Sequence, residues 1–173
     1  MKKWFWIIFI LILAGIGIFL YQTTPEKYTI EDSLPSIEAV MEDRLEQPID
    51  IREQVKSGDR WFVLFETDKT LGMGEFVQGK NGKYAVEVIG HGSKPVRQSI
   101  IETSEGLYLL VAGKNKQQVA RIDAKIEHLN YDIKLDPEAP YFLTLTPING
   151  TQRAEATSLS FYDQNGKELE LKY

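Results

Sequence analysis

Two acidic residues at the end of an apolar stretch are the first candidates for chemistry in this chain. Glu66 and Asp68 follow RWFVLFE (60–66) and stand two residues apart, which places both on one face of an extended strand. A partly buried carboxylate pair can titrate high and work as general acid and base. Strand ends commonly carry acidic residues, and that is the alternative interpretation of the pair.

The two histidines lie far apart in the sequence. His91 is in GHGS (90–93), which we predict to be an exposed, flexible loop, and His128 is in KIEHLNYD (125–132), at the end of a strand. One imidazole with no nearby acid or second histidine provides neither a metal-ligand set nor a catalytic triad. We therefore interpret both histidines as ordinary surface residues.

Two further stretches have only a partial match to ligand-binding loops. DQNGKE (163–168) begins like a calcium loop, but such a loop needs twelve residues between two helices, and strands flank this one. GEFVQGKNG (74–82) is rich in glycine, yet no helix follows it to complete a phosphate-binding loop. The chain also has no cysteine for thiol catalysis or zinc binding. The sequence thus predicts no catalytic, cofactor-binding or metal-binding residues.

Tyrosines supply one hint of a binding surface. Five of them lie in or beside predicted strands: Tyr84, Tyr108, Tyr131, Tyr141 and Tyr162. Aromatic side chains with a polar tip suit contact with glycans or proteins. Tyrosine is equally a common strand former, so these residues also fit an ordinary sheet.

An apolar segment near the N-terminus predicts a membrane anchor. The segment has 18 consecutive uncharged residues and spans about 27 Å as a helix, close to the hydrocarbon thickness of a bilayer. The predicted membrane-spanning residues are Trp4, Phe5, Trp6, Ile7, Ile8, Phe9, Ile10, Leu11, Ile12, Leu13, Ala14, Gly15, Ile16, Gly17, Ile18, Phe19, Leu20 and Tyr21.

Charge next to this segment predicts its orientation. Lys2 and Lys3 precede it, whereas QTTPEKYTIED (22–32) carries one lysine and three acids. The positive-inside rule then places the N-terminus in the cytoplasm and the rest of the chain outside. A cleaved signal peptide is the alternative, but the apolar run is long and no pair of small residues suitable for cleavage follows it.

The remaining composition limits the partners. The two lysines aside, the chain has 18 basic and 25 acidic residues, a formal net charge of −7. This balance disfavours nucleic acid and anionic lipid headgroups, which both need a positive surface. The scattered acids are typical of a solvated surface.

Periodicity predicts an α+β fold that is mainly β. Apolar residues at helical spacing in SLPSIEAVMEDRLEQP (33–48) predict one amphipathic helix, with Ser33 as its cap and Pro48 ending it. Alternating stretches and the turn Asn81-Gly82 then predict an antiparallel sheet of about four strands under that helix. Later strands follow at intervals of roughly ten residues without a helix, which is typical of a small sandwich.

We therefore divide the chain into four parts. Residues 1–21 are the cytoplasmic tip and anchor, 22–32 a polar tether, 33–95 the helix with its sheet, and 96–173 the β-sandwich-like region. Whether the last two parts share one core stays open at this point.

Taken together, a lysine-led anchor, a helix, "VLFE…LGMGEF…NGKYAVEV" and a terminal "LSFYDQNGKELEL" resemble small membrane-anchored proteins of low-GC Gram-positive bacteria. The resemblance implies an extracytoplasmic location and no particular activity. We expect a tethered binding or accessory module of the cell envelope, held in the lipid bilayer and contacting a protein or cell-wall partner. The alternatives are a carboxylate-dependent envelope hydrolase and a cleaved, secreted form of the same domain.

Overall fold

The computed structural model describes residues 27–68, 70–149 and 156–170. The predicted membrane anchor, residues 4–21, lies outside these ranges. Within them, no helix has the length and apolar composition needed to cross a bilayer.

A single helix, α1, begins the described body. It spans Leu34–Leu45, and the hydroxyl of Ser33 accepts a hydrogen bond from the backbone N–H of Ser36 at its start, as an N-cap does. Ile37 and Met41 are fully buried, so the predicted apolar stripe is confirmed. The helix ends before Pro48, with Glu46 in the left-handed conformation.

Four antiparallel strands form the first sheet, in the order β1-β2-β3-β4. Their bounds are β1 Asp50–Ser57, β2 Arg60–Glu66, β3 Leu71–Gln78 and β4 Tyr84–Gly92. The β3–β4 connection is a tight hairpin in which Gly82 has a φ of 78°, a conformation that favours glycine. The predicted helix on a four-stranded antiparallel sheet is therefore confirmed.

The remaining strands form two further antiparallel sheets, which we call the middle and the third sheet. Their bounds are β5 Val96–Thr103, β6 Gly106–Lys114, β7 Arg121–Ile126, β8 Leu129–Lys134, β9 Tyr141–Pro147, β10 Ala156–Tyr162 and β11 Glu168–Leu169. The middle sheet has the order β5-β6-β9 and the third sheet β11-β10-β7-β8. The chain therefore returns from the third sheet to place β9 beside β6, and then crosses back.

Three apolar clusters hold these layers together. Helix α1 packs on one face of the first sheet, and the opposite face packs on the middle sheet. The other face of the middle sheet packs on the third sheet, as in a sandwich. The described chain thus forms four stacked layers: helix α1, the first sheet, the middle sheet and the third sheet. The predicted parts 33–95 and 96–173 share the apolar cluster between the first and middle sheets.

Strands β2 and β6 are buried on both faces because each lies between two layers. In β2, Phe65 contributes to the cluster under the helix, whereas Phe62 contributes to the cluster against the middle sheet. In β6, Leu109 and Leu110 divide in the same way between the third and first sheets. Burial on both faces explains why RWFVLFE and LYLLVAG are continuously apolar rather than alternating.

One strand escapes prediction from the sequence. β8 is an edge strand of the third sheet, and Ile133 is its one buried residue. A strand with so little buried surface leaves hardly any apolar alternation in the sequence. The alternating β7, by contrast, buries Ile122, Ala124 and Ile126 on one face.

The predicted tether, residues 22–32, is shorter than the sequence suggests. Ile30 is buried and forms a β-bridge with Tyr84 at the start of β4. The segment 28–32 therefore lies on the first sheet and is part of the body. We call the end of the sheet where this segment attaches, beside the 57–60 and 78–84 turns, the tether end.

Candidate functional site

The predicted carboxylate Glu66 lies at the opposite end of the first sheet, where it borders a cleft of about 420 Å³. This end, which we call the cleft end, is formed by the start of β1 and the end of β2. The polar residues lining the cleft are Asp50, Arg52, Glu66, Thr67, Asp68 and Lys114.

Three side chains from three strands converge on the Glu66 carboxylate. Arg52 of β1 donates from Nε to Oε2 over 3.1 Å, and the hydroxyl of Tyr141 of β9 donates to the same oxygen over 2.5 Å. Lys114, at the end of β6, forms an ion pair with Oε1. The side chain of Glu66 is only 13% exposed. Glu66 therefore links the first sheet to strands β6 and β9 of the middle sheet.

This environment keeps Glu66 ionised. Burial by itself raises the pKa of Glu66, but the hydrogen bonds and charges of Lys114, Tyr141 and Arg52 outweigh burial and lower the pKa below its ordinary value near 4.5. The effect on the phenol is the reverse, because burial and the adjacent Glu66 carboxylate raise the pKa of Tyr141 to about 12.

Glu66 and Asp68 do not form the acid–base pair that the sequence suggested. A general acid at neutral pH needs a raised pKa, whereas the pKa of Glu66 is lowered by its basic neighbours. Asp68 lies beyond the end of β2 and is exposed. Of the two interpretations of these acids, the high-titrating pair does not fit Glu66, because Arg52 and Lys114 lie against its carboxylate and lower its pKa.

The histidines have separate and ordinary surroundings. His91 lies in β4, opposite Gly72 of β3, and its Nδ1 is 2.8 Å from the hydroxyl of Thr70. The prediction that it belongs to a flexible loop is wrong, since the strand continues to Gly92. His128 lies in the exposed turn between β7 and β8, at a strand end as predicted.

In the stretch 163–168, residues 163–167 form the hairpin turn between β10 and β11, and Glu168 begins β11. The Asp163 carboxylate accepts hydrogen bonds from the backbone N–H groups of Asn165 and Lys167, at 2.8 and 2.9 Å. The Asp163 side chain therefore stabilises the turn by hydrogen bonds to the backbone within it. Across the described ranges, no cluster of three or more histidines and acids has a geometry able to hold a metal ion.

The five tyrosines do not share one surface. Tyr84 is buried on the face of the first sheet that carries helix α1, and Tyr108 packs in the cluster between the first and middle sheets. Tyr131 and Tyr162 are in the third sheet. Tyr141 does not line the cleft, but its hydroxyl donates a hydrogen bond to Glu66, which does.

Sequence reasoning missed Arg52 and Lys114, and it named Tyr141 only as one of five strand tyrosines that could form a binding surface, without linking it to Glu66. Lys114 and Tyr141 are neighbours across the β6–β9 pair, which the sequence does not reveal because β7 and β8 intervene. A lysine at the end of an apolar strand also looks like any other solvated residue. The three side chains become a set only when the first and middle sheets pack together.

Comparison of the chain with protein-family models, curated proteins and solved structures finds no match.

Proposed function

We propose that this chain is a membrane-tethered, extracytoplasmic binding module of the bacterial cell envelope. The apolar run at residues 4–21, preceded by Lys2 and Lys3, supports a tether with the body outside the cell. The mainly β body supports a binding role, because its sheets present rigid ends and surfaces on which a partner can rest.

One geometric relationship carries the proposal. The segment 28–32 joins the first sheet beside Tyr84, whereas the cleft lies at the other end of the same sheet. Strand β1 has eight residues, so the two ends are about 26 Å apart along the strand. A body attached at the tether end holds its cleft away from the lipid, towards partners in the envelope.

The cleft suits binding better than acid–base catalysis. Glu66 is held ionised by Arg52 and Lys114, so it is a poor proton donor at neutral pH. Charges of both signs line the cleft. A ligand with both ammonium and carboxylate groups, such as a protein segment or the peptide of a wall polymer, matches that lining.

Topology is tested with single cysteines, because the chain has none of its own. We expect Asp68→Cys to react with a membrane-impermeant maleimide in intact cells and to remain with the membranes after alkaline washing. Labelling that requires cell lysis places the body in the cytoplasm and contradicts the proposal. Recovery of the chain from the medium, with an N-terminus after residue 21, supports the secreted alternative instead.

Binding at the cleft is tested by photo-crosslinking in intact cells. A photoreactive residue replacing Asp68 should capture a defined envelope component, and the matched replacement of Asp132 should not. Asp132 is also exposed, but it lies on the third sheet. Identical products from both positions, or none from position 68, contradict a binding role for the cleft.

A further inference from the structure

The segment 28–32 and the β3–β4 hairpin form a continuous surface at the tether end. The side chain of Asn81 donates a hydrogen bond to the backbone oxygen of Tyr28 over 3.1 Å. The Tyr28 ring lies directly over Gly79, where an added Cβ would be 2.5 Å from the ring. We call the surface formed by Lys27, Tyr28, Lys80 and Asn81 the hairpin surface.

Two ion pairs and a β-bridge hold the segment on the sheet. Ile30 is bonded to Tyr84 through backbone N–H and C=O groups in both directions. Asp32 forms an ion pair with Lys56, and Lys83 Nζ lies 2.8 Å from Glu31 Oε1. Residues 28–32 therefore cannot act as a free linker, and the orientation of the hairpin surface is set by the same contacts.

The hairpin surface has the chemistry of the lipid headgroup layer. Tyrosine, with its apolar ring and polar hydroxyl, and lysine, with its long apolar stem, are both favoured at membrane interfaces. Lys27 and Lys80 are exposed, and Lys27 Nζ lies 5.4 Å from the centre of the Tyr28 ring. Between the hairpin and Tyr28 is a shallow depression of about 450 Å³.

The two acids of the segment 28–32 are already paired. Glu31 and Asp32 contact Lys83 and Lys56 respectively. The local surface can therefore present positive charge although the whole chain is acidic. An anchor in the adjoining segment would bring the hairpin surface to the membrane whatever the net charge of the chain.

The linker between the predicted anchor and the hairpin surface is short, and this inference rests on the anchor in the proposed function. Five residues, 22–26, separate the predicted anchor from Lys27, and they span at most about 18 Å when fully extended. We propose that the hairpin surface lies against the phospholipid headgroups of the anchoring membrane. The ammonium groups of Lys27 and Lys80 contact headgroup phosphates, and Tyr28 lies in the headgroup layer.

Fluorescence quenching tests this orientation. The full chain is placed in phosphatidylcholine vesicles containing phosphatidylglycerol and a headgroup-nitroxide lipid, with a dye on Lys80→Cys or on Asp68→Cys. Because the two ends of the sheet are about 26 Å apart, we expect quenching at position 80 to exceed that at position 68 by about threefold or more. Equal quenching of the two dyes, with the chain still attached to the vesicles, overturns the inference.

Failure of the anchor has a different signature. A chain that does not float with the vesicles has no membrane attachment, which overturns the proposed function and this inference together. Flotation with equal quenching overturns this inference alone.

A glycine pair provides the matched control. Gly79→Ala places a methyl group against the Tyr28 ring and should displace it, whereas Gly90→Ala, in β4, meets open space. In the Lys80→Cys background we expect Gly79→Ala to reduce quenching towards the value at position 68, and Gly90→Ala to leave it unchanged. A Gly79→Ala chain that folds and keeps its full quenching contradicts the role of Tyr28.

A charge reversal tests the phosphate contact without altering the hairpin. We expect Lys27→Glu to reduce quenching at position 80 in vesicles with phosphatidylglycerol. Unchanged quenching in these vesicles contradicts the contact between lysine and phosphate.

Discussion

The hydroxyl of Tyr141 donates a hydrogen bond of 2.5 Å to the carboxylate of Glu66, and this bond crosses from the middle sheet to the first. The two residues are 75 positions apart in the chain. Together with Lys114, they connect the layers on either side of the shared apolar cluster. The bond therefore adds a polar contact beside the apolar cluster between the two sheets, next to the cleft that Glu66 lines.

Removing the hydroxyl of Tyr141 should weaken this connection. We expect Tyr141→Phe to lower the free energy of unfolding by about 1.5–3 kcal/mol, since hydrogen bonds to charged groups contribute on that order. Urea unfolding of the full chain in detergent measures the change. Tyr108→Phe, in the cluster between the same sheets, is the control and should change stability by less than about 0.5 kcal/mol. Equal effects of the two variants contradict the role assigned to the Tyr141 hydroxyl.

Glu66 should make the fold sensitive to acid. Its pKa is lower in the folded chain than its ordinary value near 4.5, so the unfolded chain takes up the proton first as the pH falls. The stabilisation is complete above the ordinary value and is lost as the pH falls through the folded-state pKa. We expect Glu66→Gln to flatten the loss of stability between pH 6 and pH 3, measured by urea unfolding. A variant with the wild-type slope would be inconsistent with this assignment.

Glu75 should have the opposite effect on the pH dependence of folding stability. Burial raises its pKa above the ordinary value, although Arg60, whose Nη1 lies 2.6 Å from its Oε1, opposes this shift. The folded chain therefore holds the proton more tightly, and the contribution of Glu75 to stability falls as the pH rises through its raised pKa. We expect Glu75→Gln to lose less stability than the wild type between about pH 4.5 and pH 7. If the variant loses more stability than the wild type over this pH range, the raised pKa of Glu75 is contradicted.

The shared cluster should make the first and middle sheets unfold together. Leu110 is fully buried between them, and Leu110→Ala should lower the free energy of unfolding by about 2–4 kcal/mol because it leaves a cavity.

With Trp4 and Trp6 replaced by phenylalanine, Trp61 is the one remaining tryptophan and reports on the first sheet. We expect its fluorescence and the far-ultraviolet circular dichroism to change at the same urea concentration. Separate transitions indicate two independent cores.

Gly72 should be intolerant of any side chain. An added Cβ would lie 2.2 Å from the ring of Phe65, which is fully buried under the helix. We expect Gly72→Ala to destabilise the fold by about 1–3 kcal/mol, the usual cost of overpacking a core. Gly90→Ala, in the adjacent strand with open space around it, is the control in the same urea unfolding experiment. A neutral Gly72→Ala shows that the Phe65 ring can move aside.

Local patterns in the sequence were sufficient for most of the strands and for the helix. Ile37 and Met41 share a helical stripe, and both are buried. The continuous apolar run of β2 is typical of a strand covered on both faces, and Phe62 and Phe65 lie in different clusters. The Asn81-Gly82 pair predicted the hairpin. Such patterns succeed because periodicity records, residue by residue, which side of an element is buried.

The tertiary structure alone decided the character of the cleft and the extent of the tether. The sequence left Glu66 open as half of an acid–base pair or as an ordinary strand-end acid, and Lys114 and Tyr141 beside it lower its pKa. The polar segment 28–32 was predicted to belong to a tether, whereas Ile30 pairs with Tyr84. The physical reason is the same for both. A pKa and a docked segment depend on which charges and strand edges come close in space, and those neighbours are distant in the chain.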